Sequence, residues 1–183
     1  WEDAVRSWER SILLRPLDEH RAEVSLRCGL LLHNELGMTD LAIDAISQAI
    51  TDAPSLGHFS ERTRQVLDLH QGWERVANGL MGERDIAELS GPSRQCLALI
   101  YAEALKDSPD AEQFWATVRN TLDSQSFEGG LYAQWLEGQG RWRSLESLYA
   151  DWGQPPEHEE ELDLLRAQSL ERAGAEWLTL APF

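Results

Sequence analysis

The chain has 183 residues, which is enough for one ordinary domain or a short array of repeats with a buried core. Its 42% hydrophobic and 26% charged residues are typical of a folded protein and disfavour an intrinsically disordered one. The 16 Lys and Arg residues against 32 Asp and Glu residues give a formal net charge of −16, which argues against a nucleic-acid binder and favours a basic partner. The alternative is that the acidic residues only keep an extended surface soluble.

Composition constrains source and compartment only in part. Lys106 is the only lysine, and this strong preference for Arg indicates a GC-rich bacterial source. The two cysteines form no CxxC motif, and no apolar run is long enough to span a membrane. Because the first residue is Trp and not Met, we expect the sequence to be an excerpt of a longer chain. Localisation, cytoplasmic or periplasmic, stays open, and neither a cofactor nor a metal is predicted.

One short helical pattern recurs along the chain. It opens with Trp in "WEDAV", "WERV", "WRSL" and "WLTL", and the same phase returns in "TDLAIDAI" and "SPDAEQFW". The third residue after each Trp, with its counterparts elsewhere, gives repeat marks spaced 34 to 38 residues apart: Ala4, Ala42, Val76, Ala111, Leu145 and Leu180. A period of this size is typical of paired-helix repeats, so each mark predicts one helix.

The predicted helices around these marks share an apolar face and recognisable ends. A large residue follows each of the first five marks by four positions, which is one helical turn: Trp8, Ile46, Leu80, Trp115 and Tyr149. Thr39 and Ser108 suit the N-cap position, and Pro109 suits the first turn. Pro16 and Pro54 are expected to stop the first two of these helices.

Another helix, which carries none of these marks, is predicted between successive marks. Its signature is a small or slim residue followed three positions later by Leu or Tyr, in the pairs Gly29 and Leu32, Val66 and Leu69, Ala98 and Tyr101, Ala133 and Leu136, Ala167 and Leu170. Plausible openers for it are Asp18, Ser60, Gly91 with Pro92, and Pro155 with Pro156. Glycine is expected to end it at Gly37, Gly72, Gly140 and Gly174.

These residues resemble the tetratricopeptide repeat (TPR) family, most clearly in "AIDAISQAITDAP", "LALIYAEAL" and "YAQWLEGQGRW". The resemblance implies an all-α fold, a right-handed superhelical α-solenoid of about five antiparallel helix pairs. Residues 1–183 would then form a single TPR-like array. Several copies are degenerate, since Glu88, Asp123 and Glu157 replace the terminal Pro and "MGERDIAELSGPS" fits the repeat poorly.

The resemblance also implies which residues line the concave wall. Transferring the family's first-helix positions gives a mixed polar set, which is acidic towards the C-terminus: Glu23, His33, His70, Gln95, Gln134, Glu137, Glu161, Gln168 and Glu171. Such a wall would accept a basic, extended ligand. A solvated face without a specific ligand remains the alternative.

Two other features could carry chemistry but favour structural explanations. The eight Trp residues are expected mainly to pack between helices, with Trp135 and Trp152 as the two candidates for a stacking platform. The run "EHEEELD", Glu157 to Asp163, follows two prolines, and its acids are better explained by a helix N-terminus than by a metal site.

No enzyme signature accompanies the repeat, since the chain has no GxSxG, P-loop or GxGxxG motif. We therefore expect a non-enzymatic scaffold that binds a protein partner, of basic character, on an acidic concave face or at its open ends. The alternative is a periplasmic TPR segment of a bacterial exopolysaccharide export machine, guiding a cationic glycan or its modifying enzyme. Neither nucleic acid nor a membrane span in this segment is expected.

Overall fold

The structure, a computed structural model, describes residues 6–7, 10, 19–82 and 84–153. All regular structure in these residues is helical, and no strand occurs among them. The described α-helices are α1 (Glu19–Leu36), α2 (Thr39–Asp52), α3 (Glu61–Leu67), α4 (Gly72–Met81), α5 (Gly91–Glu103), α6 (Pro109–Val118), α7 (Phe127–Gly138) and α8 (Trp142–Asp151). Short 3-10 turns lie at Leu56–His58, Ile86–Glu88 and Arg119–Thr121.

The chain divides into two compact units, Trp1–Asn120 and Thr121–Phe183. The first unit contains α1 to α6 and the second contains α7 and α8. The all-α prediction is confirmed for the described residues. The solenoid arrangement of five pairs stays a prediction.

Helices α1 and α2 form an antiparallel hairpin. Arg21 near the start of α1 pairs with Asp52 at the end of α2 at 3.3 Å, and both side chains are largely buried. At the other end, His33 on α1 hydrogen-bonds Thr39, the first residue of α2. Between them, a Cβ placed on Gly29 would lie 2.7 Å from Ile46 Cγ1. The slim residue predicted at position 29 therefore does allow the two helices to approach closely.

The following hairpins are closed mainly by aromatic contacts. Trp73 on α4 stacks on Phe59, with ring centroids 5.7 Å apart, and its indole N–H donates to Asp68 at the end of α3 over 2.6 Å. On the next pair, Tyr101 of α5 contacts Phe114 of α6, with centroids 5.2 Å apart. These pairs bury large rings between the helices, which is the main favourable term in such a contact.

Successive hairpins of the first unit also pack on each other. Helix α2 contacts α3 and α4, and α4 contacts α5. Arg75 on α4 reaches back to Asp44 on α2, and Arg64 on α3 pairs with Glu103 on α5. Helix α1 also contacts α3. The first two hairpins of this unit are therefore each covered in part by the next one along the chain.

The repeat marks within the described residues lie at equivalent buried places. Ala42, Val76, Ala111 and Leu145 are all buried, each in the second helix of its hairpin. The large residues that follow them by four positions are also buried on α2, α4 and α6, whereas Tyr149 on α8 is half-buried. Ala4, Trp8 and Leu180 lie outside the described residues. The predicted period therefore matches the second helices of four successive hairpins, α2, α4, α6 and α8.

Helix ends are partly as predicted. Ser60 and Ser108 are N-caps whose hydroxyls accept from the backbone N–H three residues on, and Pro54 follows Ala53, the C-cap residue of α2. Thr39 is not a cap, because it is already helical and Met38 holds the N-cap position without a side-chain hydrogen bond. For α5 the cap is Ser90, directly before the predicted opener.

The glycine prediction is correct at two of its three described positions. Gly37 and Gly140 have φ angles of 63° and 65°, the left-handed conformation expected just after a helix. Gly72 does not end α3, because it is the first residue of α4. The left-handed residues of that turn are His70 and Gln71, with φ angles of 46° and 61°.

Helices α7 and α8 form the described part of the second unit. The Trp152 indole N–H at the end of α8 donates to the Leu122 carbonyl, which lies before α7, so the two helices are antiparallel. Ser126 caps α7 by accepting from the Gly129 N–H at 3.0 Å. This cap was not predicted. A Cβ on Gly129 would lie 2.2 Å from the Asp123 carbonyl oxygen, so the turn before α7 requires glycine there.

Both cysteines are buried thiols, Cys28 on α1 and Cys96 on α5. Burial raises the pKa of the Cys96 thiol to about 11. A thiol so far from its ionised form is a poor nucleophile, so Cys96 has a packing role.

Candidate partner-binding surfaces

The residues predicted to line a concave wall occupy different environments. Glu23, His70, Gln134 and Glu137 are exposed, whereas His33 and Gln95 are half-buried. Glu161, Gln168 and Glu171 lie outside the described residues, as does the run from Glu157 to Asp163. The single concave wall stays a prediction, and two smaller groups can be recognised among the described residues.

The first group lies where the α1–α2 and α3–α4 turns meet. His33 Nδ1 and Thr39 Oγ1 are 3.1 Å apart, and His70 Nδ1 lies 3.3 Å from a carboxylate oxygen of Asp40. Two histidines separated by 37 residues in the sequence thus contact consecutive residues at the start of α2. The structure brings these two predicted site residues to one end of the hairpins.

Charged side chains connect this end of α2 to α4. Arg75 donates to Asp44 at 2.8 Å and to Asp40 at 3.0 Å, so it bridges two carboxylates that lie one turn apart on α2. The hydrogen bond from His70, and then that from Arg75, lowers the pKa of Asp40 below its ordinary value. The hydrogen bond to Asp44 is the largest of the effects that raise the pKa of Arg75. All four groups are solvent-accessible, so these bonds order the surface more than they stabilise the fold.

Apolar side chains are exposed around the same turns. Met38 is 45% exposed, Leu41 is 54% exposed and Leu69 is 38% exposed. Met38 and Leu41 flank Asp40 on the first turn of α2, and Leu69 precedes His70. We call this group the turn surface and define it by these residues: Met38, Asp40, Leu41, Asp44, Leu69, His70 and Arg75.

The α3–α4 turn that carries Leu69 and His70 has an unusual backbone. His70 and Gln71 both have positive φ angles, which residues with a Cβ adopt at a cost of roughly 1 kcal/mol each. The residue that follows is closely packed, since a Cβ on Gly72 would lie 2.6 Å from the Leu67 carbonyl oxygen. Leu69 and His70 are both exposed in this turn.

The second group lies on α7. Gln134 and Glu137 are exposed and three residues apart, so they share one side of the helix. Gly130 and Phe127 continue that side towards the start of α7, and Phe127 is 43% exposed. We call these four residues the α7 face. Burial, and then the nearby charge of Glu137, raises the pKa of Tyr149 on α8, so its hydroxyl stays protonated at neutral pH.

Trp135 is not a stacking platform. Its ring is buried, with Tyr132 stacked at a centroid distance of 6.0 Å and the Arg141 guanidinium 4.8 Å from the ring centroid. The ring is therefore used within the fold and is closed to a sugar or base. Trp152 is half-buried, contacts Tyr149 edge to face and uses its N–H internally.

Within the described residues, no group of three or more His, Cys, Asp and Glu side chains is arranged to hold a metal ion. No helix in that part of the chain has both the length and the apolar character needed to cross a bilayer.

The sequence pattern pointed to His33 and His70 but missed most of the turn surface. Met38, Leu41 and Leu69 fit a helical apolar pattern, and Leu69 was predicted as a packing residue. The way the α1–α2 and α3–α4 turns pack leaves these three side chains exposed, and only this exposure distinguishes them from core residues. A Leu beside a turn histidine is at best a weak signal in the sequence.

Comparisons with protein-family models, curated proteins and solved structures gave no match to this chain. The likeness to tetratricopeptide repeats thus rests on the residues of this chain. Its function must be inferred from the surfaces described above.

Proposed function

We propose that this chain is a non-enzymatic, TPR-like helical array, a right-handed solenoid, that binds a partner protein. The observation that carries the proposal is the common placement of Ala42, Val76, Ala111 and Leu145. Each is buried in the second helix of one of four consecutive hairpins. Sequence-equivalent hairpins of this kind stack on neighbours and present extended surfaces made of equivalent positions.

The α7 face is the part of the predicted wall that best fits partner binding. Gln134 supplies an amide donor and acceptor, Glu137 supplies a carboxylate, and Phe127 adds exposed apolar area. An acidic chain with a net charge of −16 attracts a basic partner over a distance and rejects an acidic one. The proposed partner is therefore a protein with a basic segment.

The glycan alternative rests on the acidic composition and on a groove that bears Trp rings. Trp135, one of the two candidates for such a ring, is closed by Tyr132 and Arg141, which favours protein binding. We therefore propose protein binding alone.

The test begins with the immobilised chain and a lysate of the source organism. Proteins retained in low salt and released at about 0.5 M NaCl are identified, purified and measured again by calorimetry. The purified partner is then tested against a chain with Gln134→Ala and Glu137→Ala. We expect an affinity loss of about tenfold or more if these residues are central to the interface.

A matched control removes the same two functional groups from another helix. Glu61 and Gln65 are exposed on α3 and hydrogen-bond only each other among the contacts seen here, so Glu61→Ala with Gln65→Ala should leave affinity unchanged. Equal losses in both variants would count against the α7 face. The complete variant also carries Gln168→Ala and Glu171→Ala. Unchanged affinity of that variant would contradict the prediction that the concave wall binds the partner. Retention of no protein at all would contradict the proposed function itself.

A further inference from the structure

The turn surface combines exposed apolar side chains with a fixed backbone. Three of the four large hydrophobic residues that are exposed in the described part of the chain lie here: Met38, Leu41 and Leu69. The contact of Asp40 with His70 joins the turns that carry them. Isolated exposed leucines are ordinary, but such a group at one end of two packed hairpins is typical of a binding surface.

The surroundings of these apolar residues are acidic. The two turns and the adjoining helix ends carry two guanidinium groups, those of Arg64 and Arg75, and five exposed carboxylates: Glu35, Asp40, Asp44, Asp68 and Glu74. Arg64 pairs with Glu103 on α5, and Arg75 is held between Asp40 and Asp44, so both positive charges are largely balanced locally. The rim of the apolar group is therefore negative.

This charge selects among possible occupants. An anionic membrane surface or a nucleic acid would be repelled by the acidic rim. A second copy of the chain would bring the same negative rim against it. A segment with apolar side chains flanked by Lys or Arg would satisfy both parts of the surface.

We propose that the turn surface docks a basic amphipathic helix of a partner protein. The apolar side of that helix contacts Met38, Leu41 and Leu69, and its basic residues face the surrounding carboxylates. Leu41 lies three residues after Met38, the N-cap residue of α2, and this spacing of about one turn matches successive apolar positions on an amphipathic helix. This inference rests on the proposed function and adds the turn surface, besides the α7 face, as a place where such a partner binds.

The probe for this surface is a pair of synthetic helical peptides with identical Leu positions, one carrying Lys and the other Glu at all polar positions. Binding to the full chain is followed by fluorescence anisotropy. We expect the Lys peptide to bind at least about tenfold more tightly than the Glu peptide, and to weaken at about 0.5 M NaCl. The variant Leu41→Ser with Leu69→Ser should weaken the Lys peptide by about tenfold, because it removes most of the apolar contact.

The control is Leu105→Ser, which removes a half-buried leucine that belongs neither to the turn surface nor to the α7 face. It should leave peptide binding unchanged, and thermal unfolding of every variant verifies that the fold is intact. If the Leu41→Ser with Leu69→Ser variant unfolds, Asp44→Asn, which leaves all apolar side chains in place, should still weaken the Lys peptide. Equal binding of the two peptides, or equal losses for Leu41 with Leu69 and for Leu105, would overturn the inference.

The natural partner separates this inference from the proposed function. If a purified partner binds the Leu41→Ser with Leu69→Ser chain as tightly as the unchanged chain, the turn surface is not its docking site, while the proposed function stands. If no protein partner is retained, the proposed function fails. The selectivity between the two peptides and its loss in the serine variant then decide the chemistry of the turn surface alone.

Discussion

The α1–α2 turn and the α3–α4 turn both reverse the chain between two paired helices, but different residues adopt the left-handed conformation in them. The first places glycine at the left-handed position, where Gly37 has a φ angle of 63° and hydrogen-bonds back to the His33 carbonyl. The second has glycine nearby but places His70 and Gln71 in that conformation. Its glycine, Gly72, is used where α4 passes the backbone of Leu67.

The difference shows that glycine meets two separate needs in these hairpins. One is a positive φ angle, which costs a residue with a Cβ roughly 1 kcal/mol. The other is space, and a Cβ 2.6 Å from a backbone oxygen requires a helix to move. In the α3–α4 turn the glycine stands at the position where space is short. His70 and Gln71, which have side chains, adopt the strained left-handed conformation.

The largest effect should come from Gly72→Ala. The new Cβ would lie 2.6 Å from the Leu67 oxygen and 2.7 Å from its Cα, and neither backbone atom can move without shifting α3. We expect a loss of about 2 kcal/mol in the free energy of unfolding, measured by urea denaturation. Gly91 is the matched control, because it is also the first residue of its helix and a Cβ there would meet nothing within 4 Å. If Gly91→Ala costs as much as Gly72→Ala, space is not the reason for glycine at position 72.

A smaller loss is expected from Gly37→Ala. A Cβ there would meet nothing within 4 Å, so only the positive φ angle opposes the substitution. The free energy of unfolding should fall by about 1 kcal/mol. Gly37→Asn should cost less, because Asn adopts the left-handed conformation more readily. Equal effects of Ala and Asn would show that the conformation is not what position 37 requires.

The reverse change, Gln71→Gly, should stabilise the protein. Glycine adopts the φ angle of 61° without strain, and the larger entropy of the unfolded chain offsets only part of this gain. We expect an increase of about 0.5 kcal/mol in the free energy of unfolding. A loss of stability in this variant would mean that the Gln71 side chain makes a contribution that outweighs its backbone strain.

The smallest effect concerns Asp40, which joins the two turns through His70. Its pKa is lower in the folded protein than in the unfolded chain, so its contribution to stability is present above the ordinary Asp pKa and is lost as the pH falls through the folded value. Asp40→Asn should therefore lower the melting temperature slightly at neutral pH. The difference from the unchanged chain should shrink as the pH falls below the ordinary Asp pKa and disappear once Asp40 is protonated in the folded protein. A difference that grows on acidification would contradict this sign.

The sequence predicted the features that recur locally. Buried Ala42 and Val76, the Ser108 cap and the glycine at Gly37 all follow from helical spacing and end signals within one hairpin. The same reasoning failed at Thr39 and Gly72, since a good cap residue or a glycine near a helix end does not reveal which neighbouring position needs it.

The turn surface could not be predicted because it depends on contacts between residues far apart in the chain. Asp40 meets His70 and Arg75 only after α2 has packed against α4. The exposure of Leu41 and Leu69 also depends on contacts between hairpins. An apolar residue is buried only if the neighbouring hairpin is long enough to cover it. The α7 face was easier to predict, since Gln134 and Glu137 share one side of a single helix.

The burial of Cys28 and Cys96 gives this chain two internal probes of local unfolding. An alkylating reagent reaches a buried thiol only when the surrounding helices separate, so the rate of labelling reports local opening. One thiol lies in the first described hairpin and the other in the third, and variants that keep a single cysteine would time the two openings separately. Different rates would show that the hairpins open one after another, and a single common rate would show that the first unit opens as a whole.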